Sequence, residues 1–364
     1  MVGAGEGRLM PMQPLLTIDN LSIAFDTEAG RIVPVTGVSM TVHAGQTLAV
    51  VGESGCGKSI TAMSILRLLP TPPTRYLSGR ILFEDADMLQ SNEAHMQHVR
   101  GGKIAMIFQE PMTSLNPVYT VGEQIVEAIT LHQKVSGRQA REIAQAALTE
   151  VGIADAGRRM NEYPHQMSGG MRQRIMIAMA LACRPTLLIA DEPTTALDVT
   201  IQAQILELLR KLQQQKGMSI LLITHDLGVV ANNADVVAVM YAGKIVEYAA
   251  VEALFDHPQH PYTRGLFASI PRLGSRVERL ATIPGVVPSP ANFPPGCRFH
   301  PRCDAMKGDA LCRDCEPALR EITPGHWAAC HHIPDFATRP ATAPDLPYRR
   351  GVTAEGGGQS SETK

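Results

Sequence analysis

The chain has 364 residues, 45% of them hydrophobic and 19% charged, an ordinary globular balance long enough for two or three structural units. A formal net charge of −2 without a long Lys/Arg run leaves no basic face, so no nucleic-acid partner is expected. Neither a run of about 18 apolar residues nor an export signal is present, so the chain is expected to stay in the cytoplasm unless a partner holds it at a membrane.

Met1–Gln13 is glycine-rich and is expected to be loose. Leu16–Phe25 alternates as a strand, Ile32–Val42 reads as one or two more, and Gln46–Val51 reads as a buried strand. Gly52–Ser59 is a loop, followed by an apolar helix over Ile60–Leu69 that Pro70, Pro72 and Pro73 stop. Ile104–Phe108 is a further strand. Between Glu110 and Arg184 the pattern turns helical, over Val121–Leu131 and Gln139–Val151. Strands return at Leu187–Asp191 and Ser219–Thr224, with a helix over Ile201–Gln215 between them. Val236–Tyr241 and Ile245–Tyr248 around Gly243 form a hairpin pattern. Strand, loop, helix and strand in alternation predict an α/β fold with a mostly parallel sheet, interrupted by an inserted helical subdomain. After Phe255 the periodicity fades and Pro, His and Cys become frequent. From Thr338 onward the composition is that of a disordered tail.

Gly52-Glu53-Ser54-Gly55-Cys56-Gly57-Lys58-Ser59 fits G-x-x-x-x-G-K-[ST] between a strand and a helix, the context this phosphate-binding motif requires. Its backbone N–H groups and the helix N-terminus favour phosphate. Lys58 is expected to reach the β- and γ-phosphates of ATP, and Ser59 to ligate Mg²⁺. Leu187–Asp191 is an apolar strand ending in the carboxylates of Asp191 and Glu192. Alternation sends these to different sides. Asp191 is placed for the Mg²⁺ hydration shell, and Glu192 to polarise the attacking water. His225 follows another strand at the same sheet edge and is expected to contact the γ-phosphate.

Tyr163-Pro-His-Gln-Met-Ser168-Gly169-Gly170-Met171-Arg172-Gln173-Arg174 resembles the signature motif of ABC ATPases. Ser168 can cap the following helix, leaving N–H groups at Gly169 and Gly170 for a second phosphate site. Two such surfaces on one chain suggest a head-to-tail dimer, in which Ser168–Met171 acts on the partner's ATP. The resemblance runs from about Leu15 to about Phe255. It implies that Gln109 meets Mg²⁺ and the attacking water, that Ala196-Leu197-Asp198 crosses the dimer interface, and that Phe25 stacks on adenine. Met167 and Met171 depart from the commonest signature, Leu-Ser-Gly-Gly-Gln. The implied fold is a P-loop NTPase core (14–255) with an antiparallel β subdomain, an inserted helical subdomain at about 110–184, and an irregular Cys-rich extension.

Asp191-Glu-Pro-Thr-Thr-Ala-Leu-Asp, His225-Asp-Leu-Gly-Val-Val and His257-Pro-Gln-His-Pro-Tyr-Thr-Arg-Gly-Leu narrow the resemblance to dipeptide/oligopeptide importer ATPases, a group that includes nickel and glutathione importers. It implies peripheral attachment at the cytoplasmic side of the inner membrane. The implied partners are two permease subunits, a second and non-identical ATPase, and an extracytoplasmic binding protein. Peptide is the implied cargo, nickel or glutathione the alternative, and a soluble non-transport ATPase the remaining rival. The extension, 256–335, carries five cysteines spaced Cys297-x5-Cys303-x8-Cys312-x2-Cys315-x14-Cys330, followed by a tail over 336–364. Clustered thiolates suggest a metal site. The resemblance assigns Cys297, Cys303, Cys312 and Cys330 to a [4Fe–4S] cluster. Zinc is the rival, because Cys312-x2-Cys315 has zinc spacing.

Overall fold

The computed structural model describes residues 13–109, 114–195, 197–269, 282–306, 308–333 and 344–347. The loose start expected over 1–12, Ala196 of the expected interface loop, and most of the expected tail lie outside the described residues.

Two sheets organise the chain. The first is antiparallel and four-stranded, in the order β2-β1-β4-β5. Its strands are β1 Pro14–Thr27, β2 Gly30–His43, β4 Thr74–Phe83 and β5 Ala86–Asp87. Ile32–Val42 is therefore part of one long strand. Several shifts in register along the β1–β2 pair break its alternation, which left the count ambiguous in the sequence.

The second sheet has eight strands in the order β11-β12-β10-β9-β3-β8-β7-β6. Its parallel part joins β3 Thr47–Val51, β6 Ile104–Ile107, β7 Leu187–Asp191, β8 Ser219–Thr224 and β9 Val236–Tyr241. Alternation along these strands feeds two cores. Ala49, Leu188, Leu222 and Val237 face one, and Leu48, Ile189, Leu221 and Val236 face the other. Strands buried on both faces read as continuous apolar runs, as these do.

Helix α1, Lys58–Ile65, follows β3 directly. It ends earlier than the periodicity suggested, because Arg67 adopts a positive φ of 51° before the prolines. Helix α2 is Glu93–Val99. The inserted helical region holds α3 Val121–His132, α4 Gly137–Glu150, α5 Ala156–Arg159 and α6 Gly169–Leu181. Capping boxes at Thr120/Glu123 and Ser136/Gln139 start α3 and α4 by satisfying their first N–H groups. Helix α7, Val199–Lys216, ends at Gly217 in the left-handed region, and α8 is Leu227–Asn233.

The extension is more regular than its composition suggested. After β10 Lys244–Ala250 come α9 Val251–Asp256, α10 Pro261–Ala268 and α11 Ala310–Asp314. Strands β11 Arg320–Thr323 and β12 His326–Ala328 then lengthen the main sheet, with Trp327 opposite Tyr248 on β10. They are too short to show a period of two. A buried carboxylate ties the two parts together. Glu247 on β10 accepts the N–H groups of Gln259 (2.7 Å) and His260 (2.9 Å), and lies 2.7 Å from His326 Nε2. Within the expected tail, Asp345 lies 2.7 Å from His43, and Gln46 donates to the Leu346 carbonyl at 2.9 Å.

Candidate functional site

The C-terminal ends of β3, β6, β7 and β8 carry the expected chemistry to one edge of the parallel sheet, the edge where open α/β sheets hold ligands. The loop Gly52–Gly57 leaves β3 there and runs into α1 at Lys58 and Ser59, two residues before the helix start the sequence suggested. Its glycines are dictated by proximity. A Cβ on Gly52 would lie 2.1 Å from the Met240 carbonyl oxygen, and one on Gly57, at φ 106°, 2.9 Å from the Pro34 carbonyl oxygen. No side chain caps α1, so the helix N-terminus keeps its N–H groups for an anion. Lys58 is buried, and its ammonium donates to the carbonyls of Gly52 (2.7 Å) and Glu53 (3.0 Å). Cys56 is fully buried behind the loop, and burial pushes its thiol up, away from the reactive thiolate.

Asp191 is buried at the end of β7. Burial raises its pKa, a hydrogen bond from Ser59 opposes this, and the neighbouring Glu192 adds to the rise. Its Oδ1 has no hydrogen-bond partner among the described residues. A buried carboxylate oxygen without a donor, beside a serine hydroxyl, suits a hard divalent cation. Ser59 and Asp191 thus fit Mg²⁺.

Glu192 follows with a positive φ of 45°, a conformation unusual for a non-glycine residue at a strand end. Its carboxylate gathers three side chains. Gln109 Nε2 donates to Oε2 at 3.1 Å, Thr195 Oγ1 donates to the same oxygen at 2.9 Å, and His225 Nδ1 lies 3.2 Å from Oε1. Burial works to raise the Glu192 pKa. The bonds from Thr195 and His225, with the charges of His225 and Lys58, outweigh it and hold the carboxyl below its usual range. The carboxylate is therefore ionised at neutral pH. The structure brings Gln109, Glu192 and His225 together as the sequence suggested. It adds Thr195, whose place in a Thr-Thr pair carries no signal of its own.

Ser168 caps α6 by accepting the Met171 N–H at 3.4 Å, and Asp198 caps α7 by accepting the Ile201 N–H at 3.0 Å. The two caps adjoin. A Cβ on Gly169 would lie 3.8 Å from Leu197 Cδ2, and one on Gly170 3.0 Å from Ile201 Cγ2. Gln173, one turn into α6, donates to the Pro193 carbonyl beside Glu192. Helix α6 and the Glu192 carboxylate therefore share a frame. Phe25 is half-buried on β1, opposite Ile32 and Thr74, two residues along the sheet from the Pro34 that closes on Gly57.

Of the extension's thiols, Cys303 and Cys312 are buried and Cys297 and Cys330 half-buried. The Cys297 N–H donates to the Cys312 carbonyl at 2.8 Å. Burial pushes the Cys297 thiol up, and Cys330 and Cys303 push the same way. Burial and then Asp309 push the Cys312 thiol up to about 12. Asp309, Cys312 and His332 bring donor atoms within 4.8 Å of one another. Cys315 is exposed.

Residues 35–195 match the ABC transporter family, and residues 246–309 match the oligopeptide/dipeptide transporter C-terminal region. A probable peptide ABC transporter ATP-binding protein of Sinorhizobium fredii is 55% identical over 317 residues, covering 87% of this chain and 94% of that protein. The dipeptide transport ATP-binding protein DppD of Bacillus subtilis is 53% identical over 292 residues, covering 80% and 87%. Among solved structures, a dimeric ATP-binding cassette in a post-hydrolysis state with ADP and Pi superposes with a TM-score of 0.58 at 25% identity, covering 65% of this chain and 98% of that one. The fold, the converging strand ends and these likenesses agree: the chain belongs to the ATP-hydrolysing, ATP-binding subunits of ABC transporters, in the branch that carries the oligopeptide/dipeptide transporter C-terminal region.

Proposed function

We propose that this chain powers import of di- or oligopeptides, hydrolysing ATP on the cytoplasmic face of a membrane whose channel other chains supply. The carrying observation is the Glu192 carboxylate, ionised and held by Gln109, Thr195 and His225 beside the phosphate loop. Relatives named for peptide, dipeptide and oligopeptide transport favour peptide over nickel or glutathione. No helix among the described residues is long and apolar enough to cross a membrane.

In this reading the loop Gly52–Ser59 binds the triphosphate, with Phe25 against the adenine. Ser59, Asp191 and Gln109 would hold Mg²⁺, which would offset charge on the phosphates. Glu192 accepts a proton as water oxygen attacks the γ-phosphorus and the bond to the ADP oxygen breaks. His225 contacts the γ-phosphate and orients Glu192. Ser168–Met171 serves the ATP of a second, non-identical ATPase subunit, and Asp198 lies at that interface. The segment from Gln109 towards Pro117, of which 110–113 lie outside the described residues, passes the motion to two permease subunits fed by an extracytoplasmic binding protein. Glu192→Gln should cut ATP turnover by roughly 10²-fold or more while leaving ATP binding intact. Undiminished turnover would remove Glu192 from this role.

Cys297, Cys303, Cys312 and Cys330 would hold a [4Fe–4S] cluster that fastens the extension rather than carrying electrons. All four are buried or half-buried, whereas Cys315 is exposed, which favours this set of ligands. The compact Asp309–Cys312–His332 group favours a second reading, one divalent ion such as zinc. Iron and acid-labile sulfide in equal amounts would support the cluster. Zinc without sulfide would support the second reading.

A further inference from the structure

One side chain of the Cys-rich extension reaches the phosphate loop. Arg302 lies in the turn between Cys297 and Cys303, which is closed by the His300 N–H on the Cys297 carbonyl and the Arg302 N–H on the Phe299 carbonyl, both at 2.9 Å. Its guanidinium is almost fully buried and forms a two-pronged pair with Glu53, the second residue of the loop, at 2.9 and 3.1 Å. The fork is fixed from behind. Arg302 Nε donates to the Pro284 carbonyl at 2.8 Å, and Nη1 to Tyr241 Oη at 3.4 Å. The Glu53 N–H donates to Tyr262 Oη at 2.9 Å. Tyr241, Tyr262 and Phe299 pack as one aromatic cluster, with ring centroids 4.6 to 5.4 Å apart.

Glu53 places a negative charge in a loop built for a polyanion. Left unpaired, it would repel a bound triphosphate across a poorly screened distance. A bidentate guanidinium both neutralises that charge and fixes its direction. With its N–H held by Tyr262, Glu53 is anchored at both ends before any nucleotide arrives. Such preorganisation lowers the cost of binding.

We infer that Arg302 is a positioning residue for the nucleotide: the extension sets ATP affinity by clamping and neutralising Glu53. This rests on the ATP-binding reading above. It gives the extension a task in nucleotide binding, beyond fastening.

The test is equilibrium binding of Mg-ATP to the full-length chain, measured by calorimetry, across a double-mutant cycle. Arg302→Met should weaken ATP binding about tenfold in the unaltered background, the scale of a lost charge-neutralising contact. In the Glu53→Gln background the same change should cost less than threefold, because no carboxylate remains to be neutralised. Single-turnover hydrolysis at saturating ATP should change less than binding does. A merely structural role would weaken binding equally in both backgrounds, and that result, or no loss in either, would overturn the proposal. Should Arg302→Met not yield folded protein, Arg302→Lys carries the same comparison. It keeps the charge but loses the fork, so a loss smaller than tenfold that again vanishes with Glu53→Gln is expected, and equal losses would again overturn it. An unaltered chain that fails to bind ATP would remove the function reading itself, and this inference with it.

Discussion

Acid should unfold this protein through one buried imidazole. His260 opens α10 and accepts the Tyr262 N–H on Nδ1 at 3.1 Å, which only a neutral ring can do. Burial pulls its pKa from 6.5 down to about 4, with Glu247 opposing and Arg264 assisting. Between those values the unfolded chain binds a proton that the folded chain refuses. The stability this residue contributes is therefore complete above about pH 6.5 and is lost as pH falls towards 4. The full displacement corresponds to about 3 kcal/mol, and about 2 kcal/mol of it should be gone at pH 5. Urea unfolding of the full-length chain and of His260→Asn, between pH 7.5 and 5, isolates the effect. Asparagine keeps an oxygen that can accept the same N–H but does not titrate. The unaltered chain should lose about 2 kcal/mol more than the variant over that range. Parallel curves would refute the assignment, since every other group is common to both.

Thr195→Val removes a bond that lowers the Glu192 pKa, so the acidic limb of the kcat profile should move to higher pH; an unmoved limb would contradict the geometry. Gly243→Ala forces a side chain into φ 84° with its Cβ 2.5 Å from the Pro34 carbonyl oxygen. It should cost roughly 2 kcal/mol or more by urea unfolding, and a change below about 0.5 kcal/mol would show that the backbone can give way there. Trp327→Ala empties a buried position packed edge-on against Tyr248, with ring centroids 5.6 Å apart. A loss of roughly 3 kcal/mol is expected, with faster proteolysis between residues 282 and 333; equal protease resistance would show that the hairpin β11–β12 is held by other contacts.

The parallel strands were legible because burial on both faces leaves apolar runs, and the phosphate loop because its glycines are forced by backbone a few ångströms away. Glu192 and His225 were legible because a strand end is a defined place. Thr195 was not, since a hydroxyl three residues beyond a carboxylate has no period or spacing to betray it. Arg302 was equally hidden. It pairs with Glu53 across 249 positions, and contact at that range leaves no local pattern. The strands β11 and β12 were missed for a simpler reason: four and three residues cannot establish an alternation. Phe25 sits on a strand whose register shifts repeatedly, so its reading still depends on motif resemblance rather than on position.

A glycine-rich loop has much conformational freedom to lose, so its shape must be imposed from outside. Here several distant segments impose it. Pro34 blocks any side chain at Gly57, Met240 blocks one at Gly52, and the Gly243 N–H holds the Cys56 carbonyl at 2.9 Å. Gly243 is itself held, since its carbonyl accepts the Thr36 N–H at 2.9 Å, while Arg298 donates to the neighbouring Ala242 carbonyl and to Thr36 Oγ1 at 3.1 Å. Arg298 and Arg302 flank the same turn of the extension, and Tyr262 belongs to its first part. The extension thus touches the loop's supports at Ala242 and Thr36, and the loop itself at Glu53. A segment that only decorated the surface would have no reason to send two arginines, one of them almost fully buried, to these points. Their desolvation is offset only because each finds fixed acceptors there, so the extension and the phosphate loop stabilise each other's geometry.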